Sequence, residues 1–414
     1  MNTYSAYKDS GEQWLGQIPA HWEMKRLAAC FAKRSENWKR GETLELLSLL
    51  KDVGIVPYSE KGNIGNTAKT DFSQYKVARK GDLVINSMNV IIGSLGITPM
   101  DGYISPAYYA FAPREGVNTR YYNYILSLRR AQQNIRRFSK GIMEIRLKIS
   151  ANDFLSIQYP VPPKDEQEAM VAYLDEQTAQ IDNAIAREQK MIDLLEERKQ
   201  IIIQHAVTKG LNPNAKMKDS GIEWIGEIPE GWNVKKIKFL FDLITKRSCS
   251  EKKIGLENIE SKSGKYIETY SIYDGNGIAV EKGDIVYGKL RPYLCKAWLA
   301  EWECNAVGDF YVFRSKGDIE PQYAQLLFLS KAFSDECTAA TYGAKMPRVS
   351  SDFIRSLSFA YPSSKEQKEI LVYLEEKLAG IDRAIDAREK MIALLQERKQ
   401  IIINEVVTGK IKVL

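Results

Sequence analysis

Apolar positions follow a helical period in two long stretches of the chain. Leu174, Ile181, Ile185, Ile192, Leu195 and Ile202 recur at steps of three, four or seven, with charged residues on either side. Leu374, Ile381, Ile385, Ile392, Leu395 and Ile402 repeat the same steps. Such a stripe predicts one face of a long α-helix. Residues 165–207 hold neither Pro nor Gly; Pro162, Pro163 and Pro362 stand before the two stretches, and Gly210 and Gly409 follow them. These are start and stop signals for helices of about 43 residues, or roughly 60–65 Å each. A helix of that length cannot cover its own stripe. Two copies can cover each other, so an antiparallel coiled coil is expected with these twelve residues as its seam. That pairing would put the segments joined by the helices at opposite ends of a rod. The competing expectation docks each helix on its own globular half.

Outside the helices the apolar runs are short and bounded by Gly, Pro, Asn and Asp. Residues 81–85, 108–111, 284–287 and 310–313 read as strands, and 121–137 and 323–334 as helices. The expected class is α+β: two mixed α/β domains joined by the long helices.

The chain is also a two-fold internal repeat. Lys8-Asp9-Ser10-Gly11 leads through Trp14, Gly16, Ile18 and Pro19 to Trp22, and 210 positions later Lys218-Asp219-Ser220-Gly221 leads to Trp232. Glu166-Gln167, Tyr173-Leu174, Ile181-Asp182 and Met191-Ile192 recur 200 positions on, and residues 197–203 recur letter for letter at 397–403. Between these blocks the halves diverge, with Lys80-Gly81-Asp82-Leu83-Val84 echoed by Lys282-Gly283-Asp284-Ile285-Val286. The expected organisation is a first globular domain at 1–160, a first helix at 161–210, a second domain at 211–362, and a second helix with its tail at 363–414.

Composition narrows the class. Of 414 residues, 59 are Lys or Arg and 53 Asp or Glu, a net charge of +6 that permits nucleic acid without demanding it. Charge is concentrated locally: Arg129, Arg130, Arg136, Arg137, Lys140, Arg146 and Lys148 face one acid, Glu144, within twenty positions. Such a patch suits phosphate contacts, and equally a solvated helix face. No 18-residue apolar run or signal-peptide core is present, so neither a membrane span nor export is expected. Five cysteines without a C-x-x-C pair fit a reducing cytoplasm better than a disulfide or zinc scaffold. His21 and His205 are too few for a His-based metal site, and none is expected.

Catalytic motifs are missing. Residues 283–290 space a G-x-x-x-x-G-K run correctly but end in Leu290, where a P-loop needs Ser or Thr for Mg²⁺, and the run begins before its strand. Neither G-x-G-x-x-G, nor G-x-S-x-G, nor the Pro-Pro-aromatic run of amino-methyltransferases occurs.

In order, and twice, the marks Ile18-Pro19-x-x-Trp22 and Ile228-Pro229-x-x-Trp232, then Gly-Asp-Leu/Ile-Val, then Tyr159-Pro160 or Tyr361-Pro362, then Glu-Gln and a long helix resemble the specificity (S) subunit of type I restriction–modification enzymes over nearly the whole chain. The resemblance implies a non-catalytic, cytoplasmic subunit that recognises double-stranded DNA. Each of two target-recognition domains would read half of a bipartite site, and the helices would set the gap and dock two methyltransferase subunits. It implies no cofactor here: S-adenosylmethionine, ATP and Mg would belong to methyltransferase and translocase–nuclease partners. Two readers on one rod gain effective concentration at the second half-site. The alternative is a coiled-coil scaffold bridging proteins without DNA. Arg and Lys suit guanine edges and Asn suits adenine. The candidate DNA-binding residues are therefore Asn86, Ser87 and Asn89 after the first Gly-Asp strand, with Arg136, Arg137, Lys140 and Arg146. Their counterparts in the second half are Lys289, Arg291 and Tyr293, with Tyr342, Lys345 and Arg348. No catalytic residue is expected.

Overall fold

A computed structural model describes residues 3–39, 43–51, 53–62, 71–141, 147–248, 250–343 and 345–413. The chain folds as two compact units, one made of residues 1–188 with 390–414, the other of 189–389. Each unit therefore takes one end of each long helix, Lys164–Lys209 and Ser364–Val407.

In the first unit a sheet is ordered Phe31–Lys33, Tyr108–Pro113, Leu83–Asn86, Leu95–Ile97, and a second is ordered Gly54–Pro57, Glu45–Leu50, Gly102–Ile104, Lys76–Ala78. The ribbon Glu23–Arg26 with Gln158–Val161 leads into the first long helix. The second unit repeats the plan. One sheet runs Phe241–Ile244, Phe310–Ser315, Ile285–Gly288, Ala297–Leu299, and the other Arg247–Ser248, Gly277–Val280, Cys304–Ala306, Lys253–Ile254. The class is α+β with an internal two-fold repeat.

The expected strands form, and the expected helices form with a break. Residues 121–137 fold as Thr119–Ser127 and Arg129–Arg137, with Leu128 extended at φ −63°, ψ 133° between them. Ser330 breaks the second copy in the same way, between Pro321–Leu329 and Lys331–Ala339. Neither break is a Pro or Gly. Leu128 lies in the core, and the Ser330 hydroxyl donates to the Leu327 carbonyl at 2.8 Å, which satisfies part of a helix end.

The helix ends are antiparallel inside each unit. In the first, Ile181 is buried in one core with Ile402, and half-buried Ile185 and Leu395 pack against it; Ile392 is half-buried and Leu174 fully buried. In the second, Leu374 is in the core, Ile202 packs on it, Ile192 and Ile381 are buried, and Leu195 and Ile385 are half-buried. None of the twelve stripe positions is exposed.

The helix C-termini also enter the globular cores, which the stripe did not announce. In the first unit Val406 and Val407 join Trp22, and the Tyr121 hydroxyl donates to the Val407 carbonyl at 3.0 Å. In the second, Ala206 and Val207 join Trp232, and Tyr323 donates to the Val207 carbonyl at 3.1 Å. Gly210 and Gly409 end these helices in the left-handed region, φ 74° and 73°, which only glycine enters without strain.

Candidate nucleic-acid interface

The residues most conspicuous in the repeat are scaffolding. Asp82 and Asp284 are almost wholly buried. Arg34 gives Nε and Nη2 to Asp82 at 2.5 and 2.8 Å, and Arg314 gives the same atoms to Asp284 at 2.8 Å each. The amides of Arg79 and Glu281 each add a 2.8 Å bond to these carboxylates. Gln167 and Gln367, also buried, accept from the amides of Asn118 and Glu320 and donate to the carbonyls of Pro162 and Pro362, tying each helix start to its domain. Trp22 donates to Glu166 at 2.9 Å, together with Tyr4 and His21, and Trp232 donates to Glu366 at 3.1 Å.

These anchors bring two loops together in each unit, the one after the Gly-Asp strand and the one before the last short helix. In the second unit the Val349 amide donates to the Lys289 carbonyl at 3.2 Å, and the Arg291 amide to the Pro347 carbonyl at 2.8 Å. Arg348 and Tyr342 exchange both backbone bonds, at 3.0 and 2.9 Å. Lys289, Arg291, Tyr293, Tyr342 and Arg348 thus share one surface; Tyr293 and Tyr342 are exposed, and Lys345 stands exposed at the loop tip. Arg291 has φ 51° and Cys295 φ 48°. Side chains pay for left-handed backbone, and such strain collects at functional sites.

Asp309 enters this surface from the turn before the strand Phe310–Ser315. It accepts from Arg348 Nε and Nη2 at 3.1 and 2.9 Å, and Lys289 Nζ lies 3.7 Å away. The Arg348 guanidinium holds the Asp309 carboxyl below the usual carboxylate range. Lys289 Nζ also stands 5.3 Å from the centre of the Tyr311 ring.

The first unit joins the same loops. The Ile149 amide donates to the Ser87 carbonyl at 2.9 Å, the Ser87 amide to the Ala107 carbonyl at 3.2 Å, and Lys140 and Lys148 exchange backbone bonds at 2.9 Å. Asn89 and Lys140 are exposed. Asn86 and Ser87 are buried, and Asn86 turns its carbonyl to the Met88 amide at 3.0 Å, so both lie behind the surface. Burial follows from their place at the end of a central strand. Arg136 and Arg137 are exposed on the last turn of Arg129–Arg137, a helix that packs against Val90–Ile92. Arg146 lies outside the described residues.

Reading from sequence missed Tyr109, Lys33 and Lys76. Lys76 and Lys33 stand 4.6 and 5.6 Å from the Tyr109 ring centre, and Lys76 Nζ donates to the carbonyls of Pro106 and Tyr108 at 2.6 Å each. Burial, then the charges of Lys33 and Lys148, push the Lys76 ammonium down to about 8. Tyr109 was visible as a strand residue, but Lys33 and Lys76 lie 76 and 33 positions before it. Asp309 was likewise hidden, as a single acid in a turn.

Both units thus present loop surfaces rich in cations and tyrosine on a repeated scaffold. The family described as type I restriction modification DNA specificity domain matches residues 19–196 and 229–387. The chain belongs to that family, the subunits that recognise DNA sequence in type I restriction–modification systems. It is similar to the type I restriction enzyme MjaVIII specificity subunit of Methanocaldococcus jannaschii, 26% identical over 320 residues, covering 71% of this chain and 70% of that protein. The putative MjaX specificity subunit of the same organism is 23% identical over 434 residues, 96% of each. In fold it is similar to a solved chain described under complex assembly and conformational transition of the type I R-M system, with a TM-score of 0.66 at 15% identity, covering 95% of this chain and 99% of that one. Among the described residues no helix is long and apolar enough to cross a membrane.

Proposed function

We propose that each unit reads one half of a bipartite double-stranded DNA target through its two joined loops, and that the long helices set the gap between half-sites. The observation that carries this is the pair of equivalent backbone bonds, Ile149 to Ser87 and Val349 to Lys289, which build the same loop junction in both halves. A common junction holding unlike side chains suits one scaffold with two specificities. Asn89, Lys140 and Lys148 would face one half-site, with Arg136 and Arg137 toward its phosphates. Arg291, Tyr293, Tyr342, Lys345 and Arg348 would face the other.

The helices also offer a dock. Met191, Leu194 and Ile201 are exposed on one helix, and Met391, Leu394 and Ile401 at the repeated positions of the other. Two like apolar faces fit two copies of one partner, in our reading the methyltransferase subunits. Methyl transfer from S-adenosylmethionine, and ATP- and Mg-dependent translocation and cleavage, then fall to partner subunits in a cytoplasmic complex. A scaffold that never touches DNA is not favoured, since it leaves both loop surfaces without a use.

The test is to express the chain with a type I methyltransferase subunit and map methyladenine across the host genome. A two-part motif with a fixed gap is expected. Methylation without any shared motif would refute the reading.

A further inference from the structure

Arg34, Arg314 and Arg348 are each held side-on by an aspartate, and they differ at the opposite edge. Arg34 gives its Nη1 to Glu36 at 2.8 Å, and Arg314 gives its Nη1 to Glu281 at 2.8 Å. Both guanidiniums thus have an acid at each edge, although Arg314 is 35% exposed, as much as Arg348. Arg348 gives Nε and Nη2 to Asp309, and its outer edge, Nη1 with the second Nη2 hydrogen, meets no acceptor among the described residues. Its backbone is pinned on both sides by Tyr342, and its side chain stays one-third exposed.

A guanidinium is planar, so a two-point clamp on one edge fixes the direction of the other. The outer edge then carries two parallel N–H donors. Guanine offers a matching pair of acceptors, O6 and N7, in the major groove. A phosphate could also accept two such bonds. However, phosphate binding draws mainly on charge, and a carboxylate directly behind the arginine removes charge while adding direction. That combination favours a base edge over the backbone.

We propose that Asp309 is a positioning residue that aims Arg348 at a guanine in the half-site read by the second unit. This rests on the chain reading DNA, and it adds which base is read and what orients the reader. The first unit lacks the device. Ala107 accepts the backbone bond that Asp309 accepts in the second, and Lys148 takes the place of Arg348 in the loop pairing. A lysine cannot form the planar two-point contact.

The test uses the full chain in complex with a methyltransferase subunit and duplexes carrying the mapped motif. Arg348→Ala should lose discrimination at one guanine by about 10- to 100-fold and leave the other half-site unchanged. Asp309→Ala and Asp309→Asn should relax the same position, and Arg348→Lys should not restore it. With the unaltered protein, 7-deazaguanine at that position should reproduce the loss, while inosine, which keeps O6 and N7, should bind as guanine does. This arm is independent of whether the variants fold. Equal weakening on target and random duplex in Arg348→Ala would make the contact a phosphate contact and overturn the proposal. Full discrimination in Asp309→Ala, or indifference to 7-deazaguanine, would also overturn it. Failure of the unaltered complex to prefer any motif would instead remove DNA reading itself, and the proposal with it.

Discussion

Lys399 on the second long helix donates to both carboxylate oxygens of Asp182 on the first, at 2.7 Å each. The repeat supplies the reciprocal pair in the other unit, Lys199 to Asp382 at 2.6 Å. The same residues of the repeat thus meet in both units with the helices exchanged, as an antiparallel pairing of two like helices requires. Lys399 is 28% exposed and Asp182 56%, so the pair is a surface contact. Lys399→Glu should destabilise by less than about 1 kcal/mol, and adding Asp182→Lys should recover it. Urea unfolding of the single and double variants measures this. No coupling between the two positions would count against the register.

Asp284 behaves differently because it is buried and doubly bonded to Arg314. Removing the aspartate leaves Arg314 with Glu281 alone and takes the acceptor from the Glu281 amide. Asp284→Ala should cost about 1.5–3 kcal/mol, and Asp82→Ala a similar amount. Equilibrium unfolding checks this, and a loss below about 1 kcal/mol would show that the pair does not hold the strand ends.

Two glycines near the end of the chain predict opposite signs. At Gly409, with φ 73°, a Cβ would come within 2.4–2.9 Å of Pro19 and Trp22, so Gly409→Ala should destabilise. Gly380 sits inside the helix with nothing within 4 Å of a Cβ. Gly380→Ala should stabilise by about 0.5–1 kcal/mol. Thermal melts of the two variants should move in opposite directions.

Lys76 gives a pH dependence. Its pKa of about 8 in the fold lies below the ordinary value of 10.5. Between those values the unfolded chain binds the extra proton, so this group makes stability rise with pH through that window. A nearby phosphate would reverse the burial effect and restore the charge. DNA binding should therefore take up a proton, and affinity should fall as pH rises above about 8. Lys76→Arg keeps its charge and should flatten that slope. Binding titrations at constant salt from pH 7 to 9.5 decide it; equal slopes would mean Lys76 does not face DNA.

If the helices set the gap, seven residues added to each at equivalent positions lengthen the pair by about 10 Å. The recognised gap should then grow by about three base pairs, at about 3.4 Å per pair. Mapping the methylated motif of the insertion variant tests it, and an unchanged gap would end the ruler idea.

Much of the architecture was legible in the order of residues. A period near 3.6 over forty positions admits only a long helix, and its recurrence 200 positions on names the partner. The antiparallel seam and the family followed from repetition, because repeated residues are those whose packing partners are repeated too, and the strands followed from short apolar runs between turn residues. Asp82, Asp284, Gln167 and Gln367 stood out for the same reason, and they hold the scaffold. The reading surface could not be found in that way. Tyr109 acquires Lys33 and Lys76, and Asp309 acquires Arg348, only when strands and loops far apart in the chain are brought side by side. Ser87, in line with Lys289, turned out to be buried, since a side chain's exposure depends on what the fold lays over it. Local pattern sets periodicity and therefore elements. Which polar groups meet within 3 Å is a property of the closed chain, and only the tertiary structure decided it.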